Sequence, residues 1–585
     1  MTKYLLIIFA WIALYALPLF LHPLHQPDEA RYSEISREIV ASGDWLIMRI
    51  NGMPYPEKPP MFNWASAAGF KVFGPKIWVG RMVSALSMLF LSIALFALLR
   101  KFIGDSAALL ASLVALAQLA AAGIGQLFTM DPMFSFFMGL TILFSVRVIL
   151  SESKKSYWLF GFAASLSLGG AMLTKGPAGL IIAGGIVSLW AVFTGKFKKL
   201  LLFVINPVFW VLTIAIVFVY YYFAEKRMPG ISNYFFIHEN ILRYFTKVHR
   251  RNKPFWYFYP IFFGGALPWT ILMPFAVQFY YKHKSAWQKD KSWLLLASIW
   301  ALFPVVFFSL SDSKLPTYIL LSFSGVGLFF GLWLYRISTG SFTDYYDQIR
   351  KKIRILYAIT FAGLAITTFV FAIIFMTGVK LSKHMFPEPT LPIWCILVGL
   401  LAAASAFIVY FYKWRSIKNM LVISSMVIIL GAGLVIRVAN LQIGHPKLLA
   451  ELKKLAKPDV TVVQYSVLDM AIPFTLQRNI SSSLVIGDMR YATANTRLDL
   501  SAKHIIDYYI RGEKKHATPT NWPCEESVWY DHNEFINVFT NDKPVLAYTK
   551  TKYIPWLRNI KVFPMTNDWK YSIIANEAYI KKYKK

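Results

Sequence analysis

The chain of 585 residues is 57% hydrophobic, only 16% charged, and carries a formal net charge of +31. With a mean hydropathy of +0.49, it lacks the polar surface a soluble protein of this length needs, so many membrane crossings are expected. The basic residues sit mostly in short runs between apolar segments, which suits orientation signals and phospholipid contact and argues against a nucleic-acid partner. Two cysteines, Cys395 in an apolar span and Cys524 in a polar tail, exclude a disulfide framework.

The first apolar run, from Tyr4 to Leu21, reads as an uncleaved membrane helix, because it exceeds a usual signal-peptide core and no small-x-small cleavage site follows. Further runs lie near 78–99, 106–123, 133–149, 157–173, 178–194, 202–222, 257–280, 292–310, 317–335, 355–377, 392–412 and 420–438. The expectation is a polytopic α-helical membrane protein with about thirteen transmembrane helices. With the amino terminus inside, the inside loops hold Arg100-Lys101, Lys154-Lys155, Lys196 with Lys198-Lys199, Lys282 to Lys291, Arg350-Lys351-Lys352, and Lys413 with Arg415. All are basic, as the positive-inside rule requires. The odd count places the tail outside.

The expected division is therefore a transmembrane domain over 1–440, including loops 22–77 and 223–256, and an extracytoplasmic α/β domain over 441–585. In that tail Thr461 to Tyr465 alternates like a strand, Leu468 to Gln477 can be helical, and Ser483 to Ile486 looks extended. No glycine-rich phosphate loop and no metal-spaced His/Cys cluster occurs there.

Unusual polar residues collect in the outside loops. His25-Gln26-Pro27-Asp28-Glu29-Ala30-Arg31-Tyr32 and Tyr55-Pro56-Glu57-Lys58-Pro59-Pro60 share one loop; later loops bring Met130-Asp131-Pro132, Thr174-Lys175-Gly176-Pro177, His238-Glu239-Asn240 with Arg243, and Lys314-Leu315-Pro316-Thr317-Tyr318. Solubility alone gives no reason to favour one face, whereas a site at one membrane surface does. Loop 223–256 also breaks the charge rule: seven Lys or Arg, from Lys226 to Lys253, oppose Glu225 and Glu239. An anionic ligand, a phosphate at the membrane surface, accounts for that excess.

Each cluster has a plain alternative. Asp28 and Glu29 open a helical stretch from Glu29 to Val40, where acids complement the helix dipole; alternatively one carboxylate is a general base or contacts a polar acceptor. Asp131 before Pro132 makes a good helix cap as well as a catalytic candidate. Glu57-Lys58, held stiffly between prolines, is either a solvated pair or a metal and phosphate contact. Lys175 can snorkel to headgroups. His238 and Arg243, five apart, do not stack on one α-helical face. Lys314 and Tyr318 are one turn apart and could meet one ligand. No nucleotide motif stands out, and nucleotides are absent outside the cytoplasm, so an activated donor there must come attached to lipid.

As a set, Asp28-Glu29-Ala30-Arg31-Tyr32, Tyr55-Pro56-Glu57-Lys58-Pro59, Met130-Asp131, Thr174-Lys175-Gly176, His238 with Arg243, Pro254-Phe255-Trp256-Tyr257 and Lys314 to Tyr318 resemble the bacterial aminoarabinose transferases of lipid A. These belong with the protein O-mannosyltransferases in the GT-C class of membrane glycosyltransferases. The resemblance runs from residue 1 to about 440, and looser in the tail.

It implies a sugar carried on undecaprenyl phosphate and transferred with inversion, at the periplasmic side of the cytoplasmic membrane, to lipid A or to a glycoprotein or glycan. It implies Asp28 and Asp131, with Glu29 beside the first, as catalytic-site acids. Lys58, Arg243, Tyr55 and Tyr318 would surround the donor phosphate, with Lys175 and Lys314 near, and Glu57 and His238 would flank a divalent metal such as zinc. Ala30 stands where the lipid A enzymes tend to have Thr, which loosens the assignment of acceptor and leaves the glycosyltransferase reading intact. Two other readings are a polyprenyl-phosphate-mannose-type protein O-glycosyltransferase and, in a different class, a lipid-linked sugar transporter or binding subunit. A transporter predicts broken helices in matching halves.

Overall fold

The computed structural model describes residues 1–20, 24, 27–242, 253–311, 313–338, 342–377, 391–411, 445–465, 467, 469–483, 529–530, 532–568 and 570–584. Among these, eight helices are long and apolar enough to cross a membrane, or up to ten if each of two sharply bent pairs counts as one span. The described residues do not by themselves show the thirteen expected. The runs near 178–194 and 392–412 contain the shorter apolar helices Ala178–Phe193 and Cys395–Phe411, and the run near 420–438 lies outside the described residues.

The two bends are hydrogen-bonded to each other. The run expected at 106–123 breaks into Asp105–Leu116 and Leu119–Gly125, turned by 63°; that at 257–280 forms Phe255–Gly265 and Trp269–Lys282, turned by 90°. Pro268 has no N–H with which to continue the second. Backbone groups freed in a lipid-filled core cost several kcal/mol each unless satisfied. Here the breaks satisfy one another: Leu119 N donates to Leu267 O at 3.1 Å and Trp269 Nε1 donates to Ala117 O at 2.5 Å, while Gln118 Nε2 of the first break donates to Phe323 O of the helix Ser322–Ser338 at 2.7 Å.

Two compact units emerge. The first consists of Met1–His22, Arg81–Val219 and Arg251–Gln442. Its helices close on small residues: a Cβ at Gly331 would stand 2.4 Å from Ala111 N, and one at Gly327 would stand 2.7 Å from Ala115 Cβ. The pair is a Gly-x-x-x-Gly stripe on Ser322–Ser338 that lets Asp105–Leu116 approach backbone to backbone. Trp190, Trp269, Trp300 and Trp333 fill the interior.

The second unit consists of Pro23–Gly80, Tyr220–Arg250 and Ile443–Lys585, so two loops of the amino-terminal half fold with the tail. Its amino-terminal part holds helix Asp28–Ser42, strands β1 (Arg49–Ile50) and β2 (Met53–Pro54), and helix Met61–Phe73. The first helix closes on Gly43, whose φ of +71° admits glycine and whose N–H returns to Ile39 O. β1 and β2 pair antiparallel around Asn51-Gly52, with φ of +49° and +80°. An Asn-Gly pair suits this tight left-handed turn.

The tail builds strands β3 (Thr461–Tyr465), β4 (Ser481–Ser483), β5 (Trp529–Tyr530), β6 (Val545–Lys550), β7 (Phe563–Asn567) and β8 (Tyr571–Ala575), in spatial order β5-β4-β3-β6-β8-β7. The first four run parallel, β8 runs antiparallel to β6, and β7, antiparallel to β8, returns to the direction of the first four. Alternate residues feed opposite faces. Val462, Leu546, Tyr548 and Ile573 pack with Leu448, Leu452 and Ile472, while Val463, Tyr465, Ala547 and Ile574 pack with Phe535 and Phe539. Thr461 to Tyr465 is a strand as expected, the helix expected over 468–477 is Ala471–Leu476, and 484–486 lies outside the described residues.

Candidate functional site

Two polar clusters contain most of the expected site residues, one in each unit. In the second unit, helix Asp28–Ser42 begins after Pro27 with Asp28 and Glu29 in its first turn, where acids meet the positive end of the helix dipole. The adjacent carboxylates have unlike surroundings. Glu29 is fully buried, whereas the Asp28 side chain keeps 42% of its exposure. Arg31, one turn on, lies 3.7 Å from Asp28 Oδ1 and 3.8 Å from Glu57 Oε2. Burial disfavours its charge, but Tyr55, Glu57 and Asp28 outweigh that and hold the guanidinium protonated well above its ordinary range.

Glu57 and Lys58 occupy the irregular segment between the β2 strand and Met61–Phe73. Tyr55, which is fully enclosed, donates from its hydroxyl to Glu57 Oε2 at 3.2 Å. Burial first, then the Glu57 charge, raise its pKa, so it serves as a neutral donor. Lys58 Nζ donates to Glu57 O at 3.0 Å and to Glu239 Oε2 at 3.3 Å.

Glu239 comes from Tyr234–Leu242, which is a π-helix. Residues five apart share a side in that geometry, so Tyr234 OH reaches Glu239 Oε1 at 3.2 Å. The side chain of His238, and Arg243 altogether, lie outside the described residues.

In the first unit, Asp131 is the first helical residue of Asp131–Ile149 and Met130 holds the cap position without a side-chain bond. The expected capping role is therefore replaced by an ion pair between Asp131 Oδ1 and Lys175 Nζ. Lys175 ends helix Lys154–Lys175, and its ammonium lies 4.3 Å from the Tyr318 ring centre and 5.5 Å from that of Phe134. A cation against aromatic faces is held electrostatically in this way. Asp131 is 8% exposed. Lys314, also buried, turns to Ser311 O, so it does not share the ring contact of Tyr318 with Lys175.

Among the described residues, no three His, Cys, Asp or Glu side chains are placed to hold a metal ion. The carboxylate of Glu57 faces Arg31 and the Tyr55 hydroxyl, surroundings that satisfy it without a metal. The described residues thus do not make up the ligand set expected around Glu57 and His238.

Arg31, Tyr234 and Glu239 were given no separate role by sequence reasoning. The three-residue spacing from Asp28 to Arg31 was a usable signal, since such residues are neighbours on a helix. The Tyr234–Glu239 contact had none, because it needs the π-helical turn.

Residues 57–223 match the family model of the dolichyl-phosphate-mannose-protein mannosyltransferases. An undecaprenyl phosphate-alpha-4-amino-4-deoxy-L-arabinose arabinosyl transferase of Erwinia tasmaniensis is 33% identical over 341 residues, 56% of this chain and 58% of that protein. One of Pseudomonas fluorescens is 30% identical over 309 residues, 52% of this chain and 55% of that protein. The chain thus spans less than two thirds of the length of these relatives. The crystal structure of ArnT from Cupriavidus metallidurans bound to undecaprenyl phosphate matches with a TM-score of 0.77 and 23% identity, over 98% of both chains. The apo structure of the same protein gives 0.78. The chain is therefore an integral membrane protein that shares the fold of these ArnT structures.

Proposed function

We propose that the chain is an inverting membrane glycosyltransferase. It moves a sugar, aminoarabinose or a related pentose or hexose, from undecaprenyl phosphate to an extracytoplasmic acceptor, with lipid A favoured. The observation that carries this reading is the 33% identity over 341 residues to a protein named for that transfer. The protein sits in the bacterial cytoplasmic membrane with about thirteen crossings, and its site and tail domain face the periplasm.

The chemistry asks little covalent work of the protein. As the acceptor bonds to the sugar, the sugar–phosphate bond breaks and the lipid phosphate leaves as an anion, and fixed cations stabilise that charge as it develops. Lys58, Arg243 and Lys175, with the hydroxyls of Tyr55 and Tyr318, are assigned to that phosphate, and Lys314 is kept as an outer contact. Asp28 is the more accessible acid of its pair. For a hydroxyl acceptor it takes the proton; for a phosphate acceptor, already ionised, it orients the nucleophile. Asp131 holds the Lys175 ammonium in place. The resemblance also suggests a divalent metal near Glu57 and His238, which elemental analysis of purified wild-type and Glu57→Ala protein tests directly.

Membranes containing the Asp28→Asn protein should lose transfer from the lipid-linked donor; transfer at the wild-type rate would falsify the assignment. Mass spectrometry of lipid A and surface glycans, with and without the protein, separates the acceptors. A loss confined to glycoproteins would favour the second reading, a protein O-glycosyltransferase, to which the match over 57–223 lends support. A transporter or binding subunit would show no turnover. That reading wants broken helices lining a path, whereas here the freed groups of the two breaks are taken up by one another.

A further inference from the structure

The hairpin leading to Glu57 is too small to stand alone. Each of β1 and β2 has two residues, and an isolated two-stranded ribbon is marginal even when longer. Something else must fix the segment that presents Tyr55, Glu57 and Lys58.

We propose that Asn51 and Asn479 are positioning residues: adjacent positions of the tail domain, 479 and 480, grip the Asp28–Ser42 helix and the β1–β2 hairpin and set the distance between them. This deepens the transferase reading and, for its catalytic consequence, rests on it. Asn51, fully buried, donates from Nδ2 to Ile480 O at 3.0 Å and accepts from Ile480 N at 3.0 Å. Its amide thus mimics a backbone partner for the residue that leads into β4. The left-handed Asn51-Gly52 turn leaves Gly52 N free to donate to Glu38 at 3.0 and 3.2 Å. One residue before Ile480, Asn479 Oδ1 accepts from Arg37 at 2.6 Å, and Arg37 also holds Glu34 through two bonds of 2.8 and 2.6 Å.

Glu34, Arg37 and Glu38 are each no more than 5% exposed. Polar groups buried that deeply are costly unless their partners are all in place. The network therefore favours one arrangement of the helix bearing Asp28 and Arg31 and the loop bearing Glu57. None of its members belongs to the Asp28–Arg31–Glu57–Lys58–Glu239 cluster itself.

The test uses the full chain in lipid nanodiscs, with hydrogen exchange and transfer kinetics measured side by side. Asn51→Leu should speed amide exchange in 49–58 by about tenfold or more and leave β6 unchanged. It should lower kcat for transfer by about tenfold, with the donor KM little moved. Asn479→Leu should act alike, and Asn479→Asp, which keeps the acceptor for Arg37, should restore both readouts. Asn51→Asp, a milder change that keeps the acceptor for Ile480 N, should fall between and serves if Asn51→Leu does not fold.

Unchanged exchange in 49–58 overturns the proposal, as does a uniform rise across the unit, which would mean general destabilisation. A kcat loss without loosening of 49–58 also overturns it. If the wild-type protein transfers no sugar, the transferase reading fails, while the exchange measurements still decide whether the grip exists.

Discussion

Lys58 Nζ lies 3.3 Å from Glu239 Oε2, joining residues 181 positions apart into a buried ion pair. Glu239 is fully buried within it and the Lys58 side chain is 14% exposed. Breaking such a pair from one side leaves a charge without its partner. Lys58→Met should cost about 3 kcal/mol, read as a lower midpoint in thermal unfolding, and adding Glu239→Gln should recover much of it. On the transferase reading, Glu239→Gln alone frees Lys58 for the donor phosphate. It should lower the donor KM by about threefold, a coupling energy of roughly 0.6 kcal/mol. A higher KM would count against Lys58 as a phosphate contact.

The Asp131–Lys175 pair is directional. Lys175 sits against the Tyr318 and Phe134 rings, which attract a cation and repel a carboxylate. Asp131→Asn and Lys175→Met should each lower transfer by about 10²-fold. The exchanged variant, Asp131→Lys with Lys175→Asp, keeps the charges but should not recover activity, because the ring faces then meet an anion. Recovery by the exchange would show that a simple salt bridge is all the reaction needs.

Acidity of the site helix carries a pH signature. Burial, and next the neighbouring Glu34, hold the Glu38 carboxyl well above the usual range; burial also raises that of Glu34, against the pull of Arg37. A carboxyl raised in the folded state stabilises fully below its unfolded value of about 4.3 and loses that contribution as pH rises through the raised value. Thermal midpoints should therefore fall as pH is raised across that window, and Glu38→Gln should flatten the slope. An equal slope in wild type and variant would assign it to other groups.

Helix packing in the first unit is set by glycine. At Gly331 an added Cβ would meet Ala111 N at 2.4 Å, while at Gly184 it would meet nothing within 4 Å. Gly331→Ala should destabilise by about 1–3 kcal/mol, since backbone cannot yield as a side chain can. Gly184→Ala should stay within about 0.5 kcal/mol. Equal thermal midpoints for the two variants would sink the close-approach argument.

Much of this was legible in the residues. Apolar runs of spanning length announced a polytopic protein, because lipid tolerates little else. The strand at Thr461 to Tyr465 shows in its β-branched alternation, and the Asn51-Gly52 pair is a strong hairpin signal for the turn before Glu57. The stripe Gly327 to Gly331 was likewise readable as a close-packing motif.

The bends at 116–119 and 265–269 were not legible, because hydropathy averages over a run and does not register where carbonyls find partners. Nor was the partner of each charge. Asp131, readable as a cap, is paired with Lys175, and Glu57 lies beside Arg31. Composition and pattern alone determined the class of this protein, its membrane setting and the residue types at its polar clusters, since those follow from local solvation. Only the tertiary structure decided which acid meets which base, because an ion pair across 181 residues depends on how separate elements pack and on the π-helical turn that carries Glu239.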